Sequence, residues 1–287
     1  MPVDVYLMTD ATNSMEPVIA AVKRGLRDIA RELFTAPERG EVSISAGYVG
    51  DHYNAVHEAE HSLISHGFRP RSLQPHRATS VFHIHPLTSD LRQLERIIDS
   101  IPRISNSDDA EAYECGQLAL AKRITDNPQR KGRKQVAVFF GDIVPHGLPE
   151  FKGGLTYESH GRRGSYTLTD LGCPSHVDPI TAWRALDAAT DLALFVGCTE
   201  YGAGYAASRY KGYGVDTLQR KIVEAARGER NTSKFVPLQE VGDIPELIIA
   251  GTRLAQSEAA FREYAQRQLT DSGRRERIAG YLEMRKP

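Results

Sequence analysis

"VYLMTDATNSM", residues 5–15, runs from unbroken apolar sequence straight into Asp10, Thr12, Asn13 and Ser14. Residues 3–9 read as a strand buried on both faces, because apolar side chains fill both parities of the run. Residues 16–34 then place Val18, Val22, Leu26, Ile29 and Leu33 at helical spacing with charges opposite, so one stripe packs on a sheet. A buried strand thus ends on a carboxylate and two hydroxyls with almost no loop before the next helix. Two roles suit Thr12 and Ser14: capping the helix N-terminus, or offering hard oxygen ligands to a cation.

The same rhythm continues outward. Residues 41–50 alternate like a strand, "SVFHIHPL" (80–87) reads as another, and helices follow at 89–101 and 109–124. "KQVAVFFGD" (134–142) is the clearest buried strand; a helix at 178–189 leads to the strand "LALFVG" (192–197), then "SKFVPLQEV" (233–241) and a helix at 244–269. Alternation of this kind predicts an α/β fold with a mostly parallel central sheet and helices on both faces. One domain over 1–256 is expected, with insertions at about 51–80 and 145–176. Residues 257–287 read as a charged helical arm whose apolar positions at its end are Ile278, Tyr281 and Leu282.

Lys and Arg number 36 and Asp and Glu 37, a formal charge of -1, so no global basic field exists to attract a phosphate backbone, and nucleic-acid binding is not expected. Cys115, Cys173 and Cys198 are far apart, odd in number and form no C-x-x-C pair, which suggests neither a disulfide framework nor a zinc ribbon. The N-terminus enters a strand carrying Asp4, unlike a signal peptide, and no apolar run is long enough for a bilayer. A cytoplasmic protein with no membrane partner is expected. P-loop, G-x-G-x-x-G and G-x-S-x-G patterns are absent, leaving ATPase, dinucleotide and serine-hydrolase readings without support.

In an open parallel sheet, ligands bind beyond the carboxyl ends of the strands where strand order reverses. The two best buried strands end in Asp10 and Asp142; as neighbours they converge on one crevice and need a cation or a shared proton. "SNSDDAEAY" (105–113) adds Asp108, Asp109 and Glu111, which either join that crevice or complement a helix N-terminus. His146, just after Asp142, either orients a ligand or caps its loop. "EYGAGYAASRYKGYG" (200–214) interleaves Tyr201, Tyr205, Tyr210 and Tyr213 with glycines, Arg209 and Lys211, as a recognition loop or a plain surface loop would.

Three segments together resemble one family. "DATNSM" (10–15) is similar to the D-x-S/T-x-S motif of von Willebrand factor type A (vWA) domains. "SDDAEAYECGQLAL" (107–120) is similar to the G-D-x-P-E-A-x-x-x-A-L stretch of an intracellular branch, and "VFFGDIVPHG" (138–147) to that branch's strand ending T-D-A-P-P-H-G. The resemblance covers about residues 3–255 and implies a Rossmann-like vWA domain with a metal-ion-dependent adhesion site. Thr12 and Ser14 would bind Mg2+ (or Mn2+ or Ca2+) directly, with Asp10 and Asp142 acting directly or through water. Asp109 stands where the family has Thr or Ser, and Glu111 matches the family's Glu. A partner protein's acidic side chain would complete the ion's sphere, and an AAA-type ATPase is a partner by family association. The implied role is a scaffold or adaptor in a prokaryotic multi-protein system. Departures are Ser105, Asn106 and Ser107 in place of glycines, and Ala110 in place of proline. A carboxylate at 109 would also lower the ion's charge, favouring the metal and weakening an acidic partner.

Two hydrolase readings compete. An Mg-dependent phosphotransferase would use Asp10 as nucleophile and Asp142 as metal ligand, but the general acid it needs two residues after Asp10 is Thr12. "HEAEH" (57–61) matches H-E-x-x-H, in which His57 and His61 bind zinc and Glu58 acts as base; ten histidines make a chance match common.

Overall fold

A computed structural model of the chain describes residues 1–12, 15–34, 41–52, 81–102, 104, 111–147, 155–158, 165–168, 172–198, 215–228 and 232–283. The strands are β1 (Val3–Asp10), β2 (Val42–Val49), β3 (Phe82–Ile84), β4 (Lys134–Gly141), β5 (Leu155–Glu158), β6 (Ser165–Leu168), β7 (Leu192–Gly197) and β8 (Ser233–Pro237). The helices are α1 (Glu16–Phe34), α2 (Leu91–Asp99), α3 (Tyr113–Asp126), α4 (Pro179–Ala189), α5 (Val215–Ala226), α6 (Ile244–Gln256), α7 (Glu258–Arg267) and α8 (Ser272–Tyr281).

Six strands form the main sheet in the order β3-β2-β1-β4-β7-β8, parallel throughout except for the short edge strand β3. The expected mixed α/β architecture is therefore present. All eight residues of β1 are buried. Its two parities feed two apolar cores. Val3, Val5 and Leu7 pack with Val18, Val22 and Leu26 of α1, Leu94 of α2 and Leu247 of α6. Tyr6 and Met8 pack with Leu120 of α3, Trp183 of α4 and Val223 of α5. Helices consequently cover both faces, as the uninterrupted apolar runs require.

Chain order reverses beside β1: β2 lies on one flank, and the chain returns to lay β4 on the other. Register pairs Thr9 with Phe140, so Asp10 stands one residue beyond that pair and Asp142 two. Both carboxylates therefore occupy the carboxyl ends of adjacent parallel strands.

Two boundaries differ from expectation. The helix predicted to start at 109 begins at Tyr113, because Glu111 is held in a parallel bridge to Pro145 and its carbonyl accepts from His146 N–H at 3.3 Å. Glu111 N–H donates to Val144 O at 3.1 Å and Ala112 N–H to Gly50 O at 3.0 Å. The helix predicted over 244–269 breaks at Ser257, whose extended backbone (φ -173, ψ 158) ends α6 while its hydroxyl caps α7 at Ala260 N. Within the 145–176 insertion, β5 and β6 form an antiparallel pair that sets Tyr157 beside Tyr166.

The C-terminal segment docks on the first core through Ile278, Ala279, Tyr281 and Leu282. Polar bonds fix its position. Arg277 grips the buried Asp243 with two bonds of 2.8 and 3.0 Å, and Arg274 reaches the same carboxylate at 3.2 Å.

Candidate metal centre at the strand ends

Asp10 is buried, and both of its oxygens are engaged. Thr12 N–H donates to Oδ1 at 2.7 Å and the Tyr113 hydroxyl donates to Oδ2 at 2.7 Å. The Thr12 bond is the local turn that ends β1, and Tyr113 arrives on the first turn of α3. Burial, and next the charge of Asp142, push the Asp10 carboxyl up from 3.8 to about 7, against the bonds from Tyr113 and Thr12. Tyr113 feels three acids at once: burial first, then Asp10, Asp142 and Glu111, hold its phenol well above the ordinary range, so it stays a donor. Glu111 and Asp142 are themselves buried, and Glu111 is tied to the chain after β4 by a parallel bridge to Pro145.

Asp10, Glu111 and Asp142 are thus buried carboxylates whose charges all act on Tyr113, and with Thr12 they put hard oxygen donors and excess negative charge at the strand ends, although the three carboxylates do not bring their ligand atoms within 4.8 Å of one another. That chemistry suits Mg2+, Mn2+ or Ca2+ and not a soft metal. Like charges in low dielectric need a proton or a cation between them.

Gly141 makes this packing possible. A Cβ at 141 would lie 2.5 Å from the Tyr113 hydroxyl oxygen and 2.7 Å from its Cζ. Gly141→Ala is expected to displace the ring from Asp10 and cost about 1–3 kcal/mol, the usual range for overpacking. Urea unfolding of the variant checks the magnitude. A change within error of zero would mean that the ring has room to move.

Beyond the crevice, β2 ends in the same manner as β1 and β4. Asp51 and His146 are fully buried and bonded, Oδ1 to Nε2, at 2.9 Å. His146 is therefore a buried partner of Asp51, and its ring lies 5.3 Å, centroid to centroid, from that of His52. His52 in turn opens a second constellation. Its Nε2 is 3.2 Å from Glu114 Oε1, 3.4 Å from Cys115 Sγ and 3.5 Å from Cys173 Sγ, and the two sulfurs are 3.6 Å apart. Cys115 and Cys173, 58 residues apart and without any short spacing, thus meet. Hydrogen bonding to Cys115 draws the Cys173 thiol down to about 3, and the same bond, then burial, raises Cys115. Burial alone would lower the His52 imidazole, but its bonds to Cys173 and Glu114 raise it to about 9.

Of the residues singled out in the sequence, Asp10, Thr12, Glu111 and Asp142 are buried at or beside the strand ends, and His146 is bonded to Asp51. Ser14, Asp108, Asp109, His57, His61, Tyr201, Tyr205, Arg209, Tyr210 and Tyr213 lie outside the described residues. The sequence reading missed Tyr113, Asp51, His52, Glu114, Cys115 and Cys173. One signal was available: "YVGDH" (48–52) puts a carboxylate after a strand, as "TD" does at β1 and "GD" at β4.

No protein-family model and no curated protein sequence matches the chain. Among solved structures, the chain is similar to the pilus adhesin SpaC of Lactobacillus rhamnosus GG, with 13% identity and a TM-score of 0.51 over 89% of this chain and 30% of that one. It is also similar to a mutant form of the PilB minor pilin of Streptococcus sanguinis, with 8% identity and a TM-score of 0.50 over 91% and 63% respectively. The chain spans less than two thirds of either protein, and the likeness is one of fold. Among the described residues, no helix is long and apolar enough to cross a membrane.

Proposed function

We propose that this chain is a Rossmann-like vWA domain that binds a protein partner through a divalent cation held at the strand-end crevice. The observation that carries the reading is the pair Asp10 and Asp142, buried at the ends of adjacent parallel strands and repelling one another. Supporting it are the reversal of strand order at that point, the oxygen-only donor set around Tyr113, and the resemblance of the three sequence segments to the vWA pattern. Mg2+ is the preferred ion, with Mn2+ or Ca2+ as substitutes. Bound there, the ion supplies a positive centre for an acidic side chain of the partner. This chain's residues orient it: Thr12 and Tyr113 fix the Asp10 carboxylate, and Glu111 is held by the backbone after β4. A role as a cytoplasmic scaffold or adaptor, with an AAA-type ATPase as a partner, belongs to the same proposal and rests on the family resemblance.

The phosphotransferase reading is weaker. The general acid it needs two residues after Asp10 is absent, because that position is Thr12.

The test is a thermal titration with Mg2+ and Mn2+. Each is expected to raise the melting temperature of the parent, equivalent to about 2.7 kcal/mol when the ion is at a hundred times its dissociation constant. The Asp10→Ala, Ser14→Ala double variant is expected to show no rise. An equal rise in parent and variant would remove the crevice from consideration.

A further inference from the structure

We infer that His52, Glu114, Cys115 and Cys173 form a second metal centre, a closed structural zinc site separate from the strand-end crevice. The four ligand atoms come from three places: the end of β2, the first turn of α3, and the segment before α4. All lie within 4.8 Å of one another. Three heavy atoms, Glu114 Oε1, Cys115 Sγ and Cys173 Sγ, converge on His52 Nε2, although an imidazole nitrogen carries at most one hydrogen. Hydrogen bonding alone does not account for such a cluster. A shared cation at its centre does.

The distances agree with a tetrahedron at zinc bond lengths. Zinc bonds of about 2.3 Å to sulfur and about 2.0–2.1 Å to nitrogen or oxygen, set tetrahedrally, separate two sulfurs by about 3.8 Å, sulfur from nitrogen by about 3.6 Å, and nitrogen from oxygen by about 3.3 Å. The corresponding separations here are 3.6 Å, 3.4 and 3.5 Å, and 3.2 Å. A disulfide is the competing product of two neighbouring thiols, but its bond is about 2.0 Å long and would leave His52 and Glu114 unexplained.

Chemistry and burial point the same way. Two thiolates and an imidazole select zinc over the hard cations suited to the crevice. His52, Glu114 and Cys173 are buried, and the Oε2 of Glu114 is buried with no hydrogen-bond partner among the described residues. Four protein ligands, three of them buried and Cys115 half-buried, leave no open position for a substrate, which is the arrangement of a structural site. Its effect is mechanical: Cys173 pins the distal end of the 145–176 insertion to α3 and to the end of β2.

Zinc analysis of the purified full chain, followed by Co2+ substitution, tests the inference. The parent is expected to retain about one zinc per chain through gel filtration. Its Co2+ form should show thiolate-to-metal charge transfer with intense tetrahedral d–d bands. Zinc should shield Cys115 and Cys173 from a thiol reagent. Cys115→Ser and Cys173→Ser are expected to weaken zinc binding at least about tenfold, whereas Asp142→Asn should keep the full zinc content while losing the crevice's response to Mg2+. Should the cysteine variants fail to fold, the parent's Co2+ spectrum and thiol shielding still decide. A parent without zinc affinity, a weak octahedral Co2+ spectrum, iron or copper in place of zinc, or a Cys115–Cys173 disulfide in fresh protein would each overturn it.

Discussion

In Mg2+-free buffer at pH 8, Asp142→Asn is expected to be more stable than the parent by about 1–2 kcal/mol, and in saturating Mg2+ the order should reverse. Asp10 drives the first half. Its folded carboxyl sits at about 7 against 3.8 for the ordinary group, through burial first and the Asp142 charge second. The folded state therefore holds the proton more tightly between those values, so the unfolding free energy falls as pH rises from about 4 to about 7 and stays lowered above it. A difference of that size corresponds to a few kcal/mol at most. Asp142→Asn removes the second cause and leaves burial in place, which recovers part of the loss and flattens the pH dependence. The reversal follows because Mg2+ adds about 2.7 kcal/mol to the parent at a hundredfold excess over its dissociation constant, and the variant lacks a carboxylate to hold it. Urea unfolding at pH 5 and pH 8, with and without Mg2+, reads all four corners. If the two proteins respond alike to the ion, or the variant is the less stable without it, the paired-carboxylate account is wrong.

Asp243→Ala is expected to destabilise the fold by about 2–4 kcal/mol and to release α8. Asp243 is fully buried and gathers Arg277, Arg274 and the Tyr281 hydroxyl around one carboxylate. Breaking a buried ion pair costs about 3–5 kcal/mol when the remaining charge is trapped. Here the remaining guanidiniums are 40% and 31% exposed and regain water, which brings the expectation about 1 kcal/mol below that range. Urea unfolding gives the magnitude, and hydrogen exchange over residues 272–282 shows whether the loss is local. A variant with parental stability and parental protection of α8 would mean that Ile278, Tyr281 and Leu282 dock the segment unaided.

Much of the fold was legible because its signals are periodic. The apolar runs of β1, β4 and β7 and the stripes of α1 and α2 state their partners' faces locally, and their bounds agree closely with the sequence reading. Failures fall where a distant backbone group decides. Nothing near residue 109 says that Glu111 bridges to Pro145 in the chain after β4, which moves the start of α3 to Tyr113. Ser257 looks like one polar residue in a long amphipathic run until its extended backbone splits α6 from α7. The crevice was legible in part, since Asp10 and Asp142 each end a buried strand. Tyr113 was not, because its role depends on the space that Gly141 leaves beside β4. The thiol cluster was invisible for a different reason: Cys115 and Cys173 have no short spacing, and only tertiary packing brings them to His52.

Tyr113, Glu114 and Cys115 are consecutive on the opening turn of α3. The first holds the Asp10 carboxylate, and the other two belong to the sulfur-bearing cluster. Successive residues on a helix are fixed about 100° apart around its axis, so that turn cannot swivel to please one neighbour while standing still for the other. Any free energy by which an ion at one location reorients the turn must reappear, by thermodynamic reciprocity, as an equal change in affinity at the other.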